Sequence, residues 1–492
     1  AFLAPSRLPL AAPLARRSPP STPPRRTSLR MSLFPSGSGV TGAVSKSRGA
    51  LSVEAPGELD NSDAFVLDTM TIRVPTKIIG RTVDYNAGDL DPEALKGMEA
   101  IADEMRGDKK ISVLSKGPNV EHWNKCLKPY LDKGTTWGSL PWYVGETYVY
   151  HRLLEASGYW DEGSKGEGLD IFAKEKKEAL DLAMPQVEAR AAVCAAAEGK
   201  WSAAEARAML LMSLWGNQGD SSLFTIQDMA DNAGRSKDDD KILVDEVDDT
   251  WNLLSAASER TGRGVEVMFL NDNSALELAS DLLLAHYLLS TGHVKRVTMH
   301  LKPYPFFVSD AIPSDVATTL DTMKSSSDDA TSRLAGALQE AIKGGSLQLT
   351  TDGPLNNFLA SPEPMWCMPK AARDTLHPAS HLTIAKGDLM YRKLLGDRTF
   401  EATEAFDDLV SYFPGPLLSL RTCKSPVAVG MLREKVEELQ SSHPTWMVDG
   451  QCGMVQLCIP PPAAEVVVGG SGYEVKYDAE KVDAQWKELA GK

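Results

Sequence analysis

From residue 265 onward the chain alternates short apolar runs with helical stretches, and this rhythm limits the fold more than any other feature. VEVMFL (265–270) is a β-branched apolar run, followed by a helical pattern over 274–290 and by a second run, VKRVTMHL (294–301). Further strand-like runs fall at 346–351, 381–386, 416–421 and 454–459, with helical stretches between several of them. Strands alternating with helices predict a parallel or mostly parallel sheet with helices on its faces. Ligands gather at the carboxyl ends of strands in such sheets, so the chemistry is expected there.

Upstream the pattern is helical. Asp91-Pro92 reads as a capped helix start, 170–198 as an Ala- and Leu-rich covering helix, and Trp201 to Trp215 places Ala203, Ala206, Leu210 and Leu214 on one face. AFVLDTMTIRVP (64–75) reads as a strand or arm, and the acidic stretch within 231–250 as a junction or an exposed helix start. At 492 residues the chain suits two domains or one elaborated one.

Charge divides the chain. Residues 1–50 hold eight Arg or Lys, eight of the thirty prolines, nine serines and no Asp or Glu. Such a leader (1–52) predicts a transit segment for a plastid or another organelle, with a cytoplasmic protein otherwise; the Phe just after its start is like the transit segments of algae with secondary plastids. The remaining 442 residues carry 44 basic against 67 acidic groups, a balance of −23. A body this acidic repels phosphate backbones and argues against nucleic acid as a partner. No apolar run nears the ~20 residues of a membrane span, which argues against a membrane partner. The six cysteines form no CxxC pair, which predicts reduced thiols rather than a structural zinc site.

Four stretches carry the candidate chemistry. In FLNDNSALELASDLLLAHYLL (269–289), Asp272 and Asn273 follow a strand, and Ser274 with Glu277 forms a capping-box pattern. The cap then leaves Asp272 and Asn273 as oxygen donors at the sheet mouth; read structurally, one of them is itself the N-cap. Asp310, after FFVS, is another acid at the carboxyl side of a neighbouring strand, or another cap. Two carboxylates and a carboxamide oxygen suit a hard divalent cation. Arg421-Thr422-Cys423-Lys424 places two cations and a hydroxyl at a strand end, a pattern that suits an anion. Lys386-Gly387-Asp388 opens a helix, and its glycine permits close backbone approach to a ligand.

Taken together, these stretches resemble the damage-control phosphatase family of metal-dependent hydrolases, in its sugar-phosphate phosphatase (acidic-residue methyltransferase-like) branch. The resemblance rests on the RTxK pattern at Arg421–Lys424, the Asp272-Asn273 pair, FFVSD (306–310), KGDLMYRKLLGDR (386–398), LPWYVGETYVYHRLL (140–154) and LWGNQGD (214–220), and covers roughly residues 60–460. It implies an all-α N-terminal domain (53–235) on a Rossmann-like three-layer α/β/α domain (236–492). By the same resemblance Asp272, Asn273 and Asp310 are metal ligands, for Mn²⁺, Ni²⁺, Mg²⁺ or Co²⁺. Lys386, Gly387, Asp388, Leu389 and Lys424 match positions that hold substrate, and Arg421 belongs to the same signature. Glu146 and Arg152 match the helical-domain motif, either reaching into the cleft or forming a buried ion pair that braces two helices. Met390 departs from the pattern, which has Asn there.

The implied reaction is hydrolysis of a sugar phosphomonoester such as fructose 1-phosphate or fructose 6-phosphate, by attack of water or of an aspartate. Two alternatives stand beside it: S-adenosylmethionine-dependent methylation of protein carboxyl groups, and a non-catalytic metal- or sugar-binding module. A methyltransferase of the usual Rossmann type needs a Gly-rich turn after its first strand, and Asn271–Ser274 contains no glycine. Gly469-Gly470-Ser471-Gly472 reads instead as a hairpin turn.

Overall fold

The computed structural model describes residues 50–217, 239–262, 264–376, 381–460, 463–469 and 472–477. The leader to residue 49, the end of LWGNQGD, the acidic stretch 231–238 and the tip residues Gly470 and Ser471 lie outside them. The strands are β1 (Ala50–Val53), β2 (Ile242–Asp245), β3 (Val265–Leu270), β4 (Val294–His300), β5 (Leu347–Thr350), β6 (Leu382–Lys386), β7 (Leu417–Thr422), β8 (Gly453–Cys458), β9 (Ala463–Gly469) and β10 (Gly472–Tyr477). The helices used below are α1 (Ala64–Asp68), α2 (Ile79–Asn86), α3 (Pro92–Arg106), α4 (Val120–Lys133), α5 (Trp142–Ser157), α6 (Ala173–Ala197), α7 (Ala203–Leu214), α8 (Val247–Thr261), α9 (Ala275–Ser290), α10 (Pro313–Lys324), α11 (Asp329–Gly344), α12 (Pro354–Leu359), α13 (Lys370–Leu376) and α14 (Gly387–Leu394).

Seven strands form one sheet in the order β2-β8-β7-β6-β3-β4-β5. The five from β7 to β5 run parallel, β8 is antiparallel to β7, and β2 is parallel to β8. From β3 the chain proceeds outward through β4 to β5, and from β6 outward the other way to β7. The strand order therefore reverses between β3 and β6, and the carboxyl ends of these neighbours open the crevice in which such sheets bind ligands. β9 and β10 form the hairpin expected around residue 470, and β1 completes a small antiparallel sheet with them.

Alternation along β3 explains why helices cover both faces. Val265, Val267 and Phe269 pack with α6, α7, α9, α10 and α11, whereas Met268 and Leu270 join the core shared with α3, α4, α5 and the segments 355–376 and 389–413. A strand buried on both sides reads as a near-continuous apolar run, as Val267–Leu270 does after the half-buried Glu266. Each fully buried Val, Leu or Phe in these layers contributes about 1.5–3 kcal/mol.

The segment 64–75 is not a strand or arm. Asp63 caps α1 through its Oδ1, which accepts from the amides of Phe65 and Val66 at 2.9 and 3.2 Å. The chain then continues as a π-helix over Thr69–Ile78 directly into α2. Its β-branched residues and Pro75 mimic an edge strand in sequence. What fixes the helix is tertiary: Met70, Val74 and Ile78, four residues apart, are buried against the α3–α5 core.

Candidate active site

The floor of the site is made by the loops after β3 and β4, which are stitched together. Ala311 N donates to Asp272 O at 2.8 Å, Ser274 N donates to Ser309 O at 2.7 Å, and Asn273 and Asp310 form an isolated antiparallel bridge. These bonds bring Asp272, Asn273 and Asp310 together from positions 37 residues apart in the chain. Buried Lys302 strengthens the join: its Nζ donates to Asn271 O at 3.0 Å and lies 3.4 Å from Asp310 Oδ2. Lys176 of α6 reaches in from the other side and donates to the Asp310 carbonyl at 2.7 Å and to Asp315 at 2.8 Å.

The capping box is not made. Ser274 occupies the N-cap of α9 without a side-chain bond, and Ala275 follows at φ +54°. Glu277 is instead buried beneath Asn273, whose Nδ2 donates to Glu277 Oε2 at 2.9 Å, while Ser309 Oγ donates to Asn273 Oδ1 at 2.5 Å. A residue that reads as a helix cap therefore orients the carboxamide. Left-handed backbone at a non-glycine residue beside the candidate ligands is the kind of strain that clusters at functional sites.

Asp272 and Asp310 are 2% and 1% exposed, yet Asp272 Oδ1 and Asp310 Oδ1 lack a hydrogen-bond partner, and Asp310 Oδ2 meets the Lys302 ammonium at 3.4 Å. Buried polar atoms are ordinarily paired. Burial, followed by the nearby Glu277, Asp310 and Asp388 charges, pushes the Asp272 carboxyl well above the usual range, against the pull of Lys302. Burial also raises Asp310, against Lys302 and Lys176. Buried carboxylate oxygens without a partner, on acids whose charge Lys302 and Lys176 offset only in part, form with the adjacent carboxamide oxygen a donor set that fits a hard divalent cation.

Gly387 closes the site from β6. It sits at φ +77°, and a Cβ there would fall 1.7 Å from Asp272 Oδ2. The position thus demands glycine both for its backbone and for the space the carboxylate occupies. Next to it, Asp388 Oδ1 accepts from Arg421 Nε at 2.7 Å, Ser425 Oγ at 3.0 Å and Lys424 N at 3.2 Å.

These groups face a cavity of ≈ 580 Å³, a usual size for small-molecule sites. Asp272, Asn273, Asp310, Asp388, Leu389, Lys424 and Glu146 line it. Other sequence candidates do not. Lys386 is fully buried, with Nζ donating to Ser213 O at 2.7 Å and lying 3.2 Å from Asp281, so it anchors β6 to α7 and α9. Arg421 is also fully buried and spends its donors on Asp388, Ser425 and Val427; it is a brace for Asp388 rather than an anion contact. Arg152 pairs with Glu104 and Glu155 away from the cavity. Glu146 lies at the wall, where Arg392 Nη1 donates to it at 2.8 Å. Met390 is fully buried and does not line the cavity.

Several lining groups were not anticipated from sequence. Arg73, Lys77 and Arg81 form a row of cations on the π-helix and α2, and Arg81 pairs with Glu175 at 2.5 Å. Their spacing of four is a helical signature, but Arg73 lies inside the segment that reads as a strand or arm and the other two fall just beyond it. Trp142, Tyr150 and Phe307 add aromatic walls, with the Arg392 guanidinium 3.5 Å above the Trp142 ring.

With the site in place, residues 77–439 match the Damage-control phosphatase ARMT1-like domain. The chain is 30% identical over 439 residues to Damage-control phosphatase ARMT1 of Mus musculus, covering 82% of this chain and 98% of that protein. It is 27% identical over 438 residues to the Homo sapiens protein of the same name, with the same coverage. A crystal structure of a DUF89 family protein from Pyrococcus horikoshii aligns at 14% identity with a TM-score of 0.38, covering 80% of this chain and 98% of that one.

Proposed function

The chain belongs to the family of damage-control phosphatases with an ARMT1-like domain, and on that premise we propose that it is a divalent-metal-dependent hydrolase of sugar phosphomonoesters, fructose 1-phosphate and fructose 6-phosphate among them. The observation that carries this reading is the pair of buried, unpartnered oxygens Asp272 Oδ1 and Asp310 Oδ1 at the sheet's switch point, on residues that line the same cavity as Lys424.

Asp272, Asn273 and Asp310 would hold the cation, which when bound polarises phosphoryl oxygens and favours attack on phosphorus. The protein's own groups supply the remainder. Lys424 stands beside the carboxylates as a cation for the charge that builds on a transferring phosphoryl group. Arg421 holds Asp388 in one orientation, which through the Lys424 amide fixes the loop carrying that lysine. Gly387 lets the start of α14 come against Asp272, and its peptide N–H groups would favour a phosphoryl group bound there. The Glu146–Arg392 pair and the Trp142, Tyr150 and Phe307 rings offer the mixed polar and aromatic wall a sugar needs. Arg73, Lys77 and Arg81 draw an anion toward a site in an otherwise acidic molecule.

The test is phosphate release from fructose 1-phosphate, fructose 6-phosphate and other sugar phosphates with Mn²⁺, Ni²⁺, Mg²⁺ and Co²⁺ in turn. Asp272→Ala and Asp310→Ala are each expected to abolish metal-dependent release; full turnover in either variant removes the metal assignment.

A further inference from the structure

A second cluster of ligand-type side chains lies outside the cavity, where α4 meets the turn after α12. His122 and Cys126 stand one helical turn apart on α4 and face the same way. Glu363 reaches them from the turn. His122 Nε2 is 2.6 Å from Glu363 Oε2 and 3.7 Å from Cys126 Sγ, and one ligand atom from each residue lies within 4.8 Å of the others.

We propose that His122, Cys126 and Glu363 form a zinc-class metal site that ties α4 to the turn supporting α14. The donor set is one nitrogen, one sulfur and one oxygen, which suits the borderline-soft Zn²⁺ and contrasts with the all-oxygen set at Asp272, Asn273 and Asp310. The spacing fits. Zn–N near 2.0–2.1 Å and Zn–S near 2.3 Å at tetrahedral angles put an N and an S about 3.6 Å apart and an N and an O about 3.3 Å apart. The His122–Cys126 separation is already there, and the Glu363 side chain has only to give up its present hydrogen bond and open by a fraction of an ångström.

The carboxylate is presented on stiff backbone. Pro362 and Pro364 flank Glu363, restricting its conformation, and the buried Lys393 Nζ donates to the Ser361 and Glu363 carbonyls, both at 2.8 Å. Access is open as well, because the His122 side chain is 47% exposed. Water completes the coordination. Lys393 belongs to α14, whose first turn touches Asp272, so the clamp joins α4 to the helix that closes the active site. A search for paired cysteines misses such a site, since its ligands are a His-x₃-Cys helix pair and a distant carboxylate.

Co²⁺ makes the test specific, because a thiolate-to-cobalt charge-transfer band in the near ultraviolet arises only at a site with sulfur. Titrating the whole protein with Co²⁺ is expected to give this band, complete with one cobalt bound beyond any held at Asp272, Asn273 and Asp310, with Zn²⁺ abolishing it and Mg²⁺ leaving it. The band should persist in Asp272→Ala and vanish in Cys126→Ser and in His122→Ala, each with an unchanged circular dichroism spectrum. Cys126→Ser is expected to retain metal-dependent phosphatase activity while losing the rise in Tm that Zn²⁺ gives the parent. A parent protein without the band, or a band that survives Cys126→Ser, overturns the assignment. If the band persists while no sugar phosphate is hydrolysed, the site stands and only the proposed reaction fails.

Discussion

Gly387 is the residue at which backbone, space and chemistry meet. Its φ of +77° disfavours any L side chain, and the place a Cβ would take is 1.7 Å from an Asp272 oxygen. Gly387→Ala must therefore move the carboxylate, the loop or both. The strained backbone alone costs about 1–3 kcal/mol. A displacement near 1 Å at reacting groups costs on the order of 100-fold in rate. Gly387→Ala is expected to lower the urea midpoint and to cut metal-dependent phosphate release by about that factor, with activity falling further than stability explains. Parent-like turnover would show that the start of α14 does not shape the site. At this scale the sequence was only partly legible. Asp272, Asn273, Asp310 and Gly387 could be placed because they follow strands, and the strands were plain. That Lys386 and Arg421 turn into the interior could not be read, since a cation at a strand end looks the same whether it meets a ligand or a buried carboxylate. Glu277 was misassigned for a similar reason: a capping-box spacing shows what a glutamate can reach along its helix and nothing of Asn273 above it.

Among elements, the sheet strands were legible because β3, β6, β7 and β8 are buried almost throughout and β4 and β5 keep apolar residues at their buried positions, so each stands out as an apolar-rich run, bounded within a residue or two of β3 to β8. The π-helix was not, because local composition and tertiary packing disagree over 69–78 and packing prevails. The cost of that misreading is functional, as this element supplies Arg73 and Lys77 to the cavity. Both side chains are largely exposed. Surface charges of this kind contribute about 0.2–1 kcal/mol each, less at high salt. Replacing both with serine is expected to raise KM for a sugar phosphate roughly fivefold, with kcat nearly unchanged, and the difference should shrink as ionic strength rises. Steady-state kinetics at two salt concentrations checks this. A fall in kcat at constant KM would instead place the row at the reacting phosphoryl group.

Across the whole molecule, the covering layers are joined to the sheet through buried charge as well as apolar packing, and this makes stability depend on pH. Asp281 of α9 is the clearest case. Its Oδ1 accepts from Ser213 of α7 at 2.6 Å and lies 3.2 Å from Lys386 Nζ at the end of β6, and Asn271 Nδ2 donates to its Oδ2 at 3.3 Å. Glu277 and Arg190 of α6 complete the charged surroundings. Burial pushes the Asp281 carboxyl up from 3.8 to about 7, with Lys386 pulling against it and Glu277 adding to it. The folded chain therefore holds this proton more tightly than the unfolded chain. The stabilisation that follows is complete below about pH 4 and is lost as pH rises through 7, by up to about 1.4 kcal/mol per unit. Asp281→Asn keeps the shape and an acceptor for Ser213 but cannot ionise. Its stability relative to the parent should be constant below about pH 4, rise across the interval from 4 to 7 and level off above it. Urea unfolding of both proteins at four or five pH values gives this difference directly. A difference independent of pH would mean that Lys386 keeps Asp281 ionised in the folded state, and the layers would then be joined by an ion pair rather than by a shared proton.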